Sequence, residues 1–76
     1  MQGFYIKPKQ YLIMRKYIIK HSITGEEKIV DAINSEIQSY CHEFYIEGLN
    51  GKLITAKYAT RNWDIVEVVY PKEMIK

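Results

Sequence analysis

Cys41 and His42 adjoin in "YCHEFYI" (40–46), and this is the one place where the residue types of a nucleophile and its base touch in sequence. A thiol nucleophile needs a base within about 2.6–3.2 Å and a third group to orient it. Neighbours in an extended strand point to opposite faces, so this thiol and imidazole are expected to stand apart. His21 is the remaining base and would have to approach from another strand. Cys41 is therefore read as a half-buried cysteine acting as a small hydrophobe. A zinc site takes about three or four Cys or His ligands, whereas the chain has one Cys and two His, so no metal and no cofactor are expected. Glycines 3, 25, 48 and 51 are scattered and form no phosphate cradle. The acid pair Glu26-Glu27 reads as solvated turn charge, and so short a chain scarcely encloses a cleft for carboxylate-pair chemistry. The residues point to a protein that is not an enzyme.

Seven tyrosines, two phenylalanines and a tryptophan in 76 residues call for a different account. Aromatics are favoured in strands and fill a small core. Those outside the core suit recognition. Tyr5 and Tyr11 alternate with Lys7, Lys9, Arg15 and Lys16 on an N-terminal arm, and Tyr45 falls on the wet face of a predicted hairpin. These seven residues form the candidate binding surface. Aromatic platforms beside cations stack single-stranded bases, at about 1–3 kcal/mol each. The same residue types dominate protein–protein hot spots.

Charge is unevenly spread. Residues 1–25 carry Lys7, Lys9, Arg15, Lys16 and Lys20 and no acid, while 26–50 carry Glu26, Glu27, Asp31, Glu36, Glu43 and Glu47 against Lys28 alone. Pairing of these segments across strands would neutralise both. A net charge of +2 and a pI near 8.7 fall short of a clearly basic nucleic-acid domain. One cysteine excludes an internal disulfide and fits a reducing cytoplasm. Apolar runs reach about four residues, far below the roughly 20 that span a bilayer. The N-terminus has no apolar leader before Pro8, so no signal peptide is expected.

The elements that must position these residues read mostly as strands. In "EFYIEGLNGKLITAKY" (43–58) a three-residue loop, Leu49-Asn50-Gly51, sorts the faces. It pairs Ile46 with Ile54, Phe44 with Ala56 and His42 with Tyr58 on a buried face. Glu47 with Leu53, Tyr45 with Thr55 and Glu43 with Lys57 fall on the wet face, and Gly51 supplies a positive φ. A second hairpin, "YIIKHSITGEEKIVDA" (17–32), turns at Thr24-Gly25, with Tyr17 facing Ala32, Ile19 facing Val30 and Ser22 facing Glu27. "WDIVEVVY" (63–70) is a strand after the turn "ATRN", ended by Pro71. "GFYIK" (3–7) is a short strand cut off by Pro8. Residues 26–41 read two ways: Ile29, Ile33, Ile37 and Tyr40 sit at helical spacing behind a Thr24–Glu27 capping box, yet "KIVDA" and "YCHEFYI" favour strand.

"KYIIKHSITGEEKIVDA", "FYIEGLNGKLITAKY" and "WDIVEVV" together resemble small SH3-like β-barrel accessory proteins of phages and mobile elements, over about residues 16–70. The resemblance implies an all-β SH3-like roll or barrel of about five strands; the alternative is α+β with one helix at 26–41. It passes on no site residues. The expected molecule is a single domain, 1–76, with 1–15 as a basic arm or extra strand. Its expected role is non-catalytic protein binding, as an accessory or inhibitor protein in the cytoplasm and off the membrane. Single-stranded DNA or RNA binding through the arm is the alternative. "YLIM" (11–14) is apolar on both faces, so a homodimer through this segment is expected unless Met74 and Ile75 fold back to cover it.

Overall fold

A computed structural model describes residues 13–71, which form six strands and two small antiparallel sheets. The strands are β1 (Arg15–His21), β2 (Glu27–Ala32), β3 (Asn34–Gln38), β4 (Cys41–Gly48), β5 (Gly51–Ala59) and β6 (Trp63–Val69). One sheet has the order β2-β1-β6 and the other β3-β4-β5. The described chain is all-β, with two sheets in place of a closed barrel and six strands where five were expected.

The helix considered for 26–41 does not form. That segment is β2, a bend at Ile33, β3 and a turn. The chain passes from one sheet to the other at Ile33, whose N–H already donates to the Tyr45 carbonyl at 2.9 Å. Val30 and Ala32 bury one face of β2, while Ile29 and Asp31 face outward. A period of two has prevailed over the helical spacing of the isoleucines, because each sheet offers a strand neighbour to pair with.

The core lies between the sheets. Tyr17, Ile19, Val30 and Ala32 come from the first, and Phe44 from the second, with Ala56, Tyr58, Trp63, Ile65 and Val68 packed around them. Four edge-to-face contacts run through it. Tyr17 meets Phe44 at 5.2 Å, Phe44 meets Tyr58 at 6.2 Å, Tyr58 meets Trp63 at 5.3 Å, and Trp63 meets His21 at 5.0 Å. Aromatic pairs in this arrangement add about 0.5–1.5 kcal/mol each beyond the area they bury.

Both hairpins form, each with a corrected register. In β4–β5 the outer half pairs as expected, with His42 against Tyr58, Glu43 against Lys57 and Phe44 against Ala56. Beyond Phe44 the pairing shifts by one, so Tyr45 faces Ile54 and Ile46 faces Leu53, and Gly48 and Gly51 flank a two-residue turn. Ile54 and Thr55 consecutively face outward, a bulge that lets Leu53 and Ala56 both face in. Ile54, expected in the core, is 38 % exposed, while Ile46 is 1 % exposed. Gly51 does take a positive φ of 117°. In β1–β2, Tyr17 faces Val30 and Ile19 faces Lys28, two residues from the expected pairing. A two-residue slip keeps every side chain on its face, so the hydrophobic pattern alone cannot exclude it.

Candidate functional site

The turns at one end of the molecule are bonded to each other. The β1–β2 loop (22–25) is held by His21, whose Nδ1 accepts the N–H groups of Ile23 and Thr24, each at 3.2 Å. Gly25, with φ 77°, lets its own N–H return to the His21 carbonyl at 3.0 Å. The β5–β6 turn (60–62) sits beside this loop: the Ser22 N–H donates to the Asn62 carbonyl at 2.8 Å. On its other side stands the β3–β4 turn. Thr60 donates to the Tyr40 carbonyl twice, from its N–H at 2.9 Å and from Oγ1 at 3.0 Å.

The β3–β4 turn is the unusual one. Gln38 pairs with Cys41, leaving a two-residue connection, Ser39-Tyr40, with φ of 51° and 63°. Two consecutive positive φ values are the geometry of a type I′ hairpin, which strongly favours Asn-Gly. A bulky residue in this region is strained, and such strain collects at functional sites. Tyr40 is 87 % exposed and Ile23, at the tip of the neighbouring loop, is 83 % exposed. Between the β3–β4 and β5–β6 turns lies a depression of about 440 Å³, lined by Ser39, Tyr40, Cys41, Ala59, Thr60 and Arg61. An isoleucine and a tyrosine thus stand on the two turns that flank, and are bonded to, the turn that carries Arg61.

The seven residues expected to form a surface are not brought together as one. Tyr5, Lys7, Lys9 and Tyr11 lie outside the described residues. Arg15 and Lys16 are neighbours in β1 and point to opposite faces. The Arg15 guanidinium lies 5.0 Å over the Tyr70 ring and donates to Tyr17 Oη at 3.4 Å and Asn34 Oδ1 at 3.3 Å, with its Nε buried and unpartnered. Lys16 is paired to Asp31 across the ladder at 3.0 Å. Tyr45 belongs to the outer face of the other sheet, half-buried beneath the Lys52 ammonium 4.9 Å from its ring centre. Of the segment 11–14, Tyr11 and Leu12 are outside the described residues, Ile13 is exposed and Met14 is half-buried.

That outer face has its own electrostatics. Glu36 and Glu43 are direct partners in β3 and β4, a like-charge pair on its own unfavourable. Lys52 bonds Glu36 and Lys57 lies 3.6 Å from Glu43, so each carboxylate has a separate cation. Bonds from Lys52 and then Gln38 hold the Glu36 carboxyl below its ordinary range, and the same Glu36 bond raises Lys52. The Glu43–Lys57 pair falls where expected, but Glu43 is buried at 8 % exposure, between its two neighbours on a face expected to be wet. The first sheet's outer face carries a row of Ile29, Ile18 and Val66, with Val66 exposed at a bulge opposite Ile18.

Cys41 lies on the outer face of β4 and His42 on the inner, where its Nε2 donates to the Trp63 carbonyl at 2.9 Å. Both histidines hold turns or strands in place. Among the described residues no group of three His, Cys, Asp or Glu side chains could hold a metal, and no helix is long and apolar enough to cross a membrane.

The platform of turns escaped the sequence because no glycine or asparagine marks Ser39-Tyr40, and no local pattern tells that Thr60 will reach Tyr40. Comparison with protein-family models, with curated proteins and with solved structures gives no match to this chain.

Proposed function

We propose that this chain is a non-catalytic protein-binding module, an accessory or inhibitor protein of the SH3-like phage type working in the cytoplasm, and that it binds its partner through the three bonded turns. One observation carries the reading: Ile23 and Tyr40, both more than four-fifths exposed, are displayed on two turns that are each hydrogen-bonded to the β5–β6 turn between them. Exposed aromatic and aliphatic side chains on a preorganised frame lose little freedom on binding, so their burial is realised as affinity. The Tyr40 backbone strain fits the same role, since folding alone would favour glycine there.

The test is affinity capture from a lysate of the source cells, with and without nuclease, using the wild-type chain and an Ile23→Ser, Tyr40→Gly double variant. A discrete nuclease-resistant partner, lost from a variant that melts no lower than wild type, supports the reading. Capture equal for the two proteins would remove the turns as the site. Nuclease-sensitive capture would favour instead the nucleic-acid reading of Tyr5, Lys7, Lys9, Tyr11, Arg15 and Lys16.

A further inference from the structure

Arg61 has no counter-ion among the described residues. Among the described residues Lys16, Lys28, Lys52 and Lys57 lie within ion-pair distance of a carboxylate, and Arg15, Lys20 and Arg61 do not; Arg15 lies over the Tyr70 ring and Lys20 stands in its sheet between Glu27 and Asp64, whereas Arg61 is on a turn with no acid as its ladder partner. It is also the sole charged residue lining the depression of about 440 Å³, whose other walls are Tyr40, Ala59, Cys41, Ser39 and Thr60. Its place is fixed from the backbone side. The Arg61 carbonyl accepts from Ser22 Oγ at 3.5 Å, and the turn closes from Asn62 N–H to the Ala59 carbonyl at 3.1 Å.

We infer that this depression holds an Asp or Glu side chain of the partner protein, with Arg61 as its counter-ion and Tyr40 covering the apolar residue next to it. The assignment rests on the protein-binding reading above and names the chemistry of the bound segment. A guanidinium presents a planar fork that matches a carboxylate through two parallel N–H···O bonds, and its weak hydration makes the exchange of water for carboxylate favourable. Tyr40 and Ala59 line the same depression and supply apolar wall. A phosphate backbone fits this end less well. Polyanion binding draws on an excess of cations, whereas at this end Glu26, Glu27 and Asp64 balance Lys20, Lys28 and Arg61.

Cys41, the single cysteine of the chain, lines the same depression and can report on it. The rate of its alkylation is measured with iodoacetate, an anion, and with iodoacetamide, its neutral counterpart, in wild type, Arg61→Gln and Arg61→Lys. The anion-to-neutral rate ratio should fall about two- to fivefold in Arg61→Gln, the size of one unit charge acting through water near contact, and be kept in Arg61→Lys. A ratio unchanged in Arg61→Gln would overturn the assignment. The blocked peptides acetyl-Gly-Phe-Glu-Gly-amide and acetyl-Gly-Phe-Gln-Gly-amide are then titrated against labelled protein. Backbone amide shifts at Tyr40, Cys41, Thr60 and Arg61 with the Glu peptide, and not with the Gln peptide, are expected. Equal shifts with both, or displacement of the Glu peptide by oligo-dT, would overturn it. Partner capture that is lost in Tyr40→Gly but intact in Arg61→Gln would leave the binding reading standing and remove the acidic residue from it.

Discussion

The ring of Tyr17 meets the ring of Phe44 edge to face, at 5.2 Å and an interplanar angle of 63°. Tyr17 belongs to β1 and Phe44 to β4, so this one contact joins the centres of the two sheets. Phe44 is fully buried and touches a second tyrosine, Tyr58, on its other side. Truncating it removes both contacts and leaves a cavity that neither sheet can close alone. Phe44→Ala is expected to cost about 3–5 kcal/mol, enough to unfold a domain of this size at 25 °C. Urea unfolding followed by tryptophan fluorescence measures it, and a loss below about 1 kcal/mol would contradict the packing.

The bulge in β5 separates two isoleucines that a continuous ladder would have placed together. Ile46 is buried and Ile54 faces out. Ile46→Ala should cost about 2–5 kcal/mol, and Ile54→Thr less than about 1 kcal/mol. Paired thermal melts decide between the registers, because the unshifted ladder requires the two losses to be similar.

Ser39 and Tyr40 occupy a turn whose backbone prefers other residues. Ser39→Asn and Tyr40→Gly should each raise stability by about 0.5–1 kcal/mol, because Asn and Gly adopt the positive φ of these positions at lower cost. Tyr40→Gly should also weaken partner binding. A variant that is more stable and less active is the sign of a residue kept for function. Tyr40→Gly that melts lower than wild type would contradict the turn geometry.

Acid should act on the second sheet through Glu36. Its carboxyl is lowered below the ordinary 4.5, chiefly by the bond from Lys52. A depressed carboxyl contributes stability that is present above the ordinary value and lost as pH falls through the lowered one. Lys52 is raised above the ordinary 10.5 by the same bond, so its contribution is present below that value and lost as pH rises further. In Lys52→Met the difference from wild type should therefore be largest at neutral pH and shrink at both extremes. Melting temperatures measured from pH 2 to 11 check this, and a difference independent of pH would contradict it.

In β1, β4 and β6 alternation by itself determined that the segment is a strand and which apolar residues lie inside. "KYIIKH", "EFYIEG" and "WDIVEVV" each place an apolar side chain at every second position, and Tyr17, Ile19, Phe44 and Ile46 are buried as that pattern requires. The opposite-charge pair Glu43–Lys57 follows from the same spacing, whereas Lys16 meets Asp31 only in the register that the folded structure selects. Register was decided by the folded structure. Slipping β1 on β2 by two residues leaves every face unchanged, so nothing local opposes it. Residues 26–41 were ambiguous because isoleucines at 29, 33 and 37 suit a helix, and only the presence of β1 and β4 as strand neighbours resolves them. The platform of turns lies furthest from the sequence. Thr60 bonds Tyr40 and Ser22 bonds Asn62, partners about 20 and 40 residues apart, and no pattern in the chain records that these backbones will meet. Local periodicity acts between residues that are neighbours along a strand, whereas a site built from three turns exists only once both sheets have packed.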